Sequence, residues 1–231
     1  MGRRRLYISI GLVAGFVVLV LVGLVAMIKS EPTFYTQAEL PEGSQRTQLS
    51  NAAKERYSEI LSILSKDSWE VEFTADQINA FFQEDYYLLG GDENLPDGFH
   101  QPRVKIEDGK MRVGVRYGKG GWSTIMSMEM KVWKVKGETN TLAVEIISLQ
   151  AGSLPLSTRT ILEDISEAVR RENIDIKWFR QDGHPVAIMR FQADQTRPTF
   201  QFDDIELKTG KLTISGRSTE LTAPPPRTAS R

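Results

Sequence analysis

The chain has 231 residues, 29 basic and 30 acidic side chains, a formal net charge of −1 and no cysteine. The lack of cysteine excludes disulfides and thiolate metal sites. Because the first 29 residues hold four basic and no acidic side chains, the remainder carries a charge of −5. An acidic remainder does not favour binding to phosphate backbones, so we expect no nucleic-acid partner.

Residues 6–28 form an apolar segment of 23 positions without a charge. As a helix rising ~1.5 Å per residue it extends about 35 Å, more than a hydrocarbon core of ~30 Å. Arg3, Arg4 and Arg5 precede it and only Lys29 follows closely. The positive-inside rule therefore predicts a cytoplasmic N-terminus and an exported remainder. The length of the segment and the lack of a small-x-small site favour an uncleaved anchor over a signal peptide.

These features divide the chain into five parts. Residues 1–5 are the predicted basic cytoplasmic tip, and residues 6–28 the transmembrane helix. Residues 29–47 hold two prolines and no periodicity, which is typical of a linker that lifts a domain off the membrane. An extracytoplasmic domain is predicted over residues 48–218, and three consecutive prolines predict a disordered tail at 219–231.

The first part of the domain predicts a helix, a strand and a second, capped helix. Residues 48–66 place apolar side chains along one helical face, and residues 69–73 alternate apolar with acidic side chains. Thr74 and Gln77 match a capping box, in which each side chain bonds the backbone amide of the other. Asn79 is polar within the apolar face of the second helix, so we expect it to bond the backbone of a neighbouring strand.

Strand patterns dominate the rest of the chain. Hairpin turns are predicted at Asp108-Gly109, residues 136–140, Asp182-Gly183 and Thr209-Gly210. One helix interrupts them, capped by Ser157 or Thr158; Gly152 permits the sharp turn before it and Pro155 fixes φ there. The predicted fold class is α+β: a transmembrane helix, then one domain of about seven or more mostly antiparallel strands packed with about three helices.

Three of the seven methionines occupy alternate positions in the run TIMSMEMKV, and Val132 follows them. On a strand these four side chains share one face. The face can be ordinary core, the wall of an adaptable groove for acyl chains or an amphipathic helix, or a copper(I) site, which would need further ligands than the neighbouring sequence offers. One of two adjacent phenylalanines can line such a groove. The candidate groove residues are Met126, Met128, Met130, Val132, Phe81 and Phe82.

Motifs for catalysis are missing from the sequence. His100 and His184 lie in predicted loops or turns, without a second ligand at metal-binding spacing. The glycine-rich residues 118–121 precede no Lys-Ser/Thr pair and join two strands, so they do not form a phosphate-binding loop. We therefore expect no catalysis, no metal and no cofactor. A hydrolase with carboxylates brought together by the fold is a remote alternative.

Three passages, VEFTADQINAFFQ, GSLPLSTRTILEDI and FDDIELKTGKLTISG, resemble the YpmS-like group of single-pass bacterial membrane proteins. The resemblance covers about residues 71–216 and implies an anchor in the bacterial inner membrane, an extracytoplasmic domain and no catalytic residues. The order of elements is also similar to tubular lipid-binding domains, in which a curled sheet surrounds an apolar tunnel. The motif residues with a structural role are Thr74, Gln77, Asn79, Gly152, Pro155, Gly210 and Gly216.

Two functional hypotheses follow. In the first, the protein is a membrane-anchored envelope protein that binds lipid, another apolar ligand or a hydrophobic protein segment without catalysis. In the alternative, it is a structural or scaffolding subunit of an envelope complex, and exposed sheet edges recruit its partners. A groove binder retains lipid when purified, whereas a scaffold does not.

Overall fold

The computed structural model describes residues 2–63, 68–91, 95, 97–171, 174–191 and 200–218. The tail predicted to be disordered, 219–231, lies outside the described residues. Helices and strands alternate in long blocks, as the sequence predicts for an α+β chain. The helices are α1 (Gly2–Lys29), α2 (Thr33–Gln37), α3 (Ser44–Ile63), α4 (Ala75–Glu84) and α5 (Ile161–Arg171), the last preceded by a 3-10 turn at Thr158–Thr160.

Within the described residues, ten strands form two antiparallel sheets. The strands are β1 (Trp69–Thr74), β2 (Phe99–Glu107), β3 (Lys110–Lys119), β4 (Trp122–Lys134), β5 (Thr141–Ala151), β6 (Leu154–Pro155), β7 (Asp175–Gln181), β8 (His184–Arg190), β9 (Phe200–Lys208) and β10 (Lys211–Ser218). The larger sheet has seven strands in the order β2-β3-β4-β5-β8-β7, with β6 paired to β5, and the smaller has the order β1-β10-β9. The predicted α+β class is confirmed, and each predicted hairpin turn joins two paired strands.

The small sheet crosses one end of the large sheet. The amide of Gly109, in the β2–β3 turn, donates to the carbonyl of Leu207 in β9 at 2.9 Å. At the other end of β9, the side chain of Asn140 donates to Phe200 O at 2.7 Å and accepts from Phe202 N at 2.8 Å. Asn140 precedes β5, so β9 is fastened to the β2–β3 and β4–β5 turns, which lie at the same end of the large sheet.

The segment predicted to be a spacer is packed on the large sheet instead. Within residues 29–47, α2 buries Phe34 and Tyr35, with 6% and 0% of their surface exposed, against Ile125 of β4. Gly114 of β3 makes room for them, because a Cβ there would lie 2.8 Å from the Tyr35 ring. Two aromatic side chains in a five-residue helix leave no periodicity, so the pattern of the sequence does not reveal this contact.

Polar side chains hold α2 in place. Arg103 of β2 is 7% exposed and donates to the backbone carbonyl of Tyr35 at 2.9 Å. Its guanidinium carbon lies 4.4 Å from the centre of the Tyr35 ring. The Tyr35 hydroxyl donates to Gln101 O at 2.7 Å, and burial raises the pKa of this phenol. The chain between the apolar helix and α3 is therefore a fixed part of the domain.

The first helix is long and apolar. Among the described residues, one stretch near the N-terminus, Phe16–Gln37, contains a window of 18 residues that is long and apolar enough to cross a membrane, with a mean hydropathy of 1.8 and 0% of the window buried. Phe16 and Leu19 are 68% and 73% exposed, so α1 does not pack these side chains into the domain. The predicted N-terminal apolar helix is present, in keeping with the length and composition of residues 6–28.

Candidate functional site

The capping box predicted from the sequence starts α4. Gln77 N donates to Thr74 Oγ1 at 3.1 Å, and Thr74 N donates to Gln77 Oε1 at 2.9 Å. Each bond satisfies an amide that the helix itself leaves unpaired. The amide of Ala75 donates to Gly210 O at 2.8 Å, which ties the first residue of α4 to the β9–β10 turn. Both ties fix the direction in which α4 leaves β1.

Asn79 attaches α4 to the edge of the large sheet. Its Nδ2 donates to Val104 O and its Oδ1 accepts from Val104 N, both at 2.8 Å. The side chain is 2% exposed, and β2 is the first strand in the order of the sheet. Asn79 therefore satisfies two backbone groups that face away from β3, as the sequence predicts for a polar residue on this apolar face. The bond turns the neighbouring phenylalanines toward α3.

A cleft of about 480 Å³ opens between α3, α4 and β1. The exposed surface that lines it is mainly apolar. The aliphatic and phenylalanine side chains along it come from all three elements and from the loop after α4: Ala53, Phe73, Ile78, Phe81, Phe82 and Leu89. Lys54, Tyr57, Tyr86 and Gly91 complete the lining.

Aromatic rings shape the inner wall of the cleft. Phe81 and Phe82 lie 6.4 and 5.3 Å from Tyr86, centre to centre, and both pairs meet edge to face. Such pairs add about 0.5–1.5 kcal/mol beyond the burial of their area. Gly91 allows the loop to close over the Tyr86 ring, since a Cβ at Gly91 would lie 2.4 Å from it. The wall is therefore assembled by three rings and one close backbone approach.

Charged groups of α3 pair with acidic groups at the end of α4. Lys54 of α3 lies 2.9 Å from an Asp85 carboxylate oxygen, and the Ser50 hydroxyl donates to the same oxygen. The Ser50 bond, followed by the Lys54 ammonium, lowers the pKa of Asp85. Arg46 and Glu84 form a second pair between the two helices at 2.5 Å. These pairs hold α3 beside α4 and leave the apolar lining between them.

The methionine row lies on β4, away from the cleft between α3 and α4. The register places Met128 beside Val113 of β3 and Leu149 of β5, so these side chains share one face. Met130 is 8% exposed, and the other two methionines and the valine after them are half-buried. Of the predicted groove residues, the structure brings Phe81 and Phe82 to one cleft, and Met126, Met128, Met130 and Val132 to a separate sheet face.

The helix α5 packs at the β7 end of the sheet face that carries the methionines. In the register of the sheet, Val132 is aligned with one residue each of β5 and β8 and then with Trp178 of β7. The Trp178 side chain therefore lies on the same face as Val132. Trp178 Nε1 donates to Ser166 Oγ of α5 at 2.7 Å. Ser166 is itself 8% exposed. The bond attaches α5 to β7, which lies three strands away from the methionines of β4.

The predicted structural residues occupy turns and close approaches. Gly152 has φ of 61° between β5 and β6, and Gly210 has φ of 77° in the β9–β10 turn, both in the left-handed region that favours glycine. Gly216 pairs with Trp69, whose ring would lie 2.4 Å from a Cβ at that position. Pro155 pairs with β5 in the two-residue strand β6, three residues before the 3-10 turn.

Sequence reasoning did not name the α3 side of the cleft as a site. Ala53 and Tyr57 lie on the apolar helical face that the sequence predicts over residues 48–66, and such a helix most simply packs on the sheet of its own domain. In the structure α3 lies beside α4, and the two helices share the cleft. The sequence offers one signal for this contact. Both helices carry aromatic side chains on their apolar faces, and these side chains can pack against each other.

Comparison of the chain with protein families, with curated proteins and with solved structures gives no match. The resemblance to the YpmS-like group and the similarity to tubular lipid-binding domains stay predictions.

Proposed function

We propose that the protein is a membrane-anchored, extracytoplasmic binder of a lipid hydrocarbon chain, and that the cleft between α3 and α4 holds the chain. The observation that carries the proposal is the cleft itself, with its volume of about 480 Å³ and its aliphatic and aromatic lining. Pockets for small molecules have volumes of about 300–1,000 Å³ and are lined mainly by such side chains.

The chemistry of the lining favours a hydrocarbon over a charged ligand. Among the described residues that line the cleft, Lys54 carries the charge, and its ammonium already pairs with Asp85 at 2.9 Å. A buried headgroup charge would find no unpaired partner there, and unpaired burial of charge is costly. A hydrocarbon chain needs no partner and gains from removal of its surface from water, by about 25 cal/mol per Å².

The N-terminal helix supplies the location. Its apolar stretch and the three arginines before it support an anchor in a bacterial inner membrane, with the N-terminus in the cytoplasm and the sheets outside. A domain joined to such an anchor is always close to lipid. We propose binding without chemistry, as in carriage or sensing of a lipid.

Native mass spectrometry of the full-length protein, released from detergent micelles, tests this function. Increasing the activation energy strips loosely held lipid from α1. We expect one chain-bearing lipid to remain on the wild-type protein after that lipid is lost. The double variant Phe81→Ser/Phe82→Ser should lose it, because polar side chains replace two walls of the cleft.

The matched control is Phe179→Ser, which removes a phenylalanine that is 57% exposed on β7 and does not line the cleft. It should retain the lipid as the wild-type protein does. A wild-type spectrum free of lipid, or equal retention by the double variant, would contradict the proposal.

A scaffolding role is the second candidate, and the position of β7 favours it. This strand ends the order of the large sheet and exposes Phe179. Edge strands of this kind recruit extended segments of other chains by backbone pairing. Loss of a co-purifying partner in Phe179→Ser, with lipid retention unchanged, would support this role over carriage of lipid.

A further inference from the structure

The last turn of α1 is bonded directly to the large sheet. The carbonyl of Met27 accepts from Ser153 N at 2.9 Å and from Ser153 Oγ at 3.2 Å, and the carbonyl of Ile28 accepts from Thr124 Oγ1 at 2.5 Å. Carbonyls at a helix C-terminus have no partner within the helix. In this protein the start of β4 and the β5–β6 turn provide the partners.

Gly152 shows how closely the two parts meet. With φ of 61°, a Cβ on Gly152 would lie 2.3 Å from Met27 O and 2.4 Å from Ile28 O, so no side chain fits between the turn and the helix. The amide of Gly152 donates to Ile125 O at 2.8 Å, which holds the turn against β4. The end of α1 therefore rests on the backbone of the sheet.

The chain after α1 continues this attachment. Glu31 pairs with Arg116 of β3 at 2.7 Å. Three residues later α2 begins to bury Phe34 and Tyr35 on the same sheet. The segment from Met27 to Tyr35 is thus attached to the large sheet at both ends and at Glu31. No flexible linker separates the domain from the end of α1.

An exposed tryptophan lies beside this junction. Trp122, at the tip of the β3–β4 hairpin, is 86% exposed, and its ring centre is 5.1 Å from the Nζ of Lys29, the last residue of α1. Lys119 of the same hairpin tip is also exposed. Tryptophan and lysine at the end of a membrane helix are the residues typical of the interface between hydrocarbon and water.

We infer that the β3–β4 hairpin tip lies in the headgroup layer of the same bilayer that α1 crosses, with Trp122 as an interfacial anchor and Lys29 and Lys119 facing lipid phosphates. The inference rests on the proposed membrane anchoring by α1, but not on lipid binding in the cleft. The occupant is the bilayer because Trp122 contacts the residue at which the apolar helix ends. The large sheet then stands on the membrane, and its opposite end, with the β4–β5 turn, points away.

Depth-dependent quenching tests this placement in the full-length protein in phospholipid vesicles. The chain has no cysteine, so each single-cysteine variant carries one fluorophore. Gly121→Cys labels the hairpin tip, where no atom lies within 4 Å of a Cβ and Trp122 is kept. Lys136→Cys labels the exposed far turn; β4, with 13 residues at ~3.3 Å each, separates the two sites by about 40 Å. Leu21→Cys labels α1 itself.

Nitroxides are placed on the lipid headgroup or deep on the acyl chain. We expect the headgroup nitroxide to quench the label at position 121 and to leave the label at 136 unquenched, while the deep nitroxide quenches the label at 21. Trp122→Ser should weaken quenching at 121, and Trp122→Tyr should restore it.

Two outcomes overturn the inference. In the first, the labels at 121 and 136 show equal, low quenching while the deep nitroxide quenches the label at 21. That result would mean that α1 is an anchor but that the hairpin tip does not lie in the membrane. Low quenching at 21 removes the anchor as well, and with it the inference. Lipid retention in the cleft is measured separately, so its failure would be distinguishable from both.

Discussion

Asn79 and Val104 form a reciprocal pair of hydrogen bonds, with both distances at 2.8 Å, between a helix side chain and the backbone of an edge strand. Among the described strands β2 has no neighbour on its outer side, and there the pair satisfies the backbone groups of Val104. It also sets the rotation of α4, because Phe81 and Phe82 follow Asn79 by two and three positions. The position of the apolar cleft therefore depends on this buried amide as well as on the bonds at the start of α4.

Asn79→Leu should lower the free energy of unfolding by about 2–4 kcal/mol. The substitution leaves the amide and carbonyl of Val104 buried without partners, and each such group costs about 1–3 kcal/mol. Urea denaturation of the full-length protein in micelles, followed by circular dichroism, measures the loss. Asn51→Leu, an exposed position on α3, is the control and should change stability by less than about 0.5 kcal/mol. Equal free energies of unfolding for the two variants would contradict a structural role for the Asn79–Val104 pair.

Gly152→Ala should destabilise the protein more than Gly183→Ala does. Both glycines have positive φ, so alanine costs about 1–2 kcal/mol at either position. At Gly183 no atom lies within 4 Å of a Cβ, whereas at Gly152 the carbonyl of Met27 lies at 2.3 Å. Overpacking should therefore add ~1–3 kcal/mol at Gly152 alone. Thermal unfolding compares the two, and an equal shift in Tm would show that α1 does not rest on this turn.

Phe34→Ala should release α2 from the large sheet. The side chain is 6% exposed, and loss of a buried phenylalanine costs about 3 kcal/mol or more. Trypsin should then cleave rapidly after Lys29 and Arg46, the basic residues on either side of α2. Phe179→Ala, which shortens an exposed side chain, should leave cleavage at the wild-type rate. Rapid cleavage at both sites in the wild-type protein would restore the interpretation of this segment as a free spacer.

We expect Asp85 to make the free energy of unfolding depend on pH in acid solution. The pKa of its carboxyl is lowered by the Ser50 hydroxyl and then by Lys54, so its contribution is present above the unfolded-state value of about 3.9 and is lost as pH falls through the folded-state value. Since the pair is partly solvated, Asp85→Asn should cost less than about 1 kcal/mol at pH 7, and the difference from the wild type should vanish in acid. Urea denaturation at several pH values measures this difference. The control with the same charge change is Asp204→Asn at an exposed position of β9; a difference for Asp85→Asn that persists in acid would contradict the assignment.

Local signals were sufficient for most of the fold. The hairpin turns at Asp108-Gly109 and Thr209-Gly210 are visible because their residues fit the turn, and the capping box at Thr74 is visible because both partners lie within four positions. Asn79 could be assigned a backbone partner because a polar residue on an apolar face needs one. Each of these features depends on neighbours in the sequence.

Contacts between distant segments were not predictable in this way. The helix α2 is too short to show a period. The small sheet is held against the end of the large sheet by hydrogen bonds between residues about 60 to 100 positions apart in the chain. The cleft depends on α3 lying beside α4, whereas the sequence shows only that each helix has an apolar face. The methionines and the two phenylalanines were therefore joined into one groove, and the structure places them at two separate surfaces.

Photocrosslinking with a fatty acid that carries a diazirine near the end of its chain tests the central claim most directly. The full-length protein is irradiated in nanodiscs, and the modified peptides are identified by mass spectrometry. Lipid binding in the cleft predicts adducts on α3 near Ala53 and on α4 near Phe81 and Phe82, in addition to those on α1, and their loss in Phe81→Ser/Phe82→Ser. Adducts on β4 at Met126 to Met130, or on α1 alone, would contradict the assignment of the cleft as the lipid site.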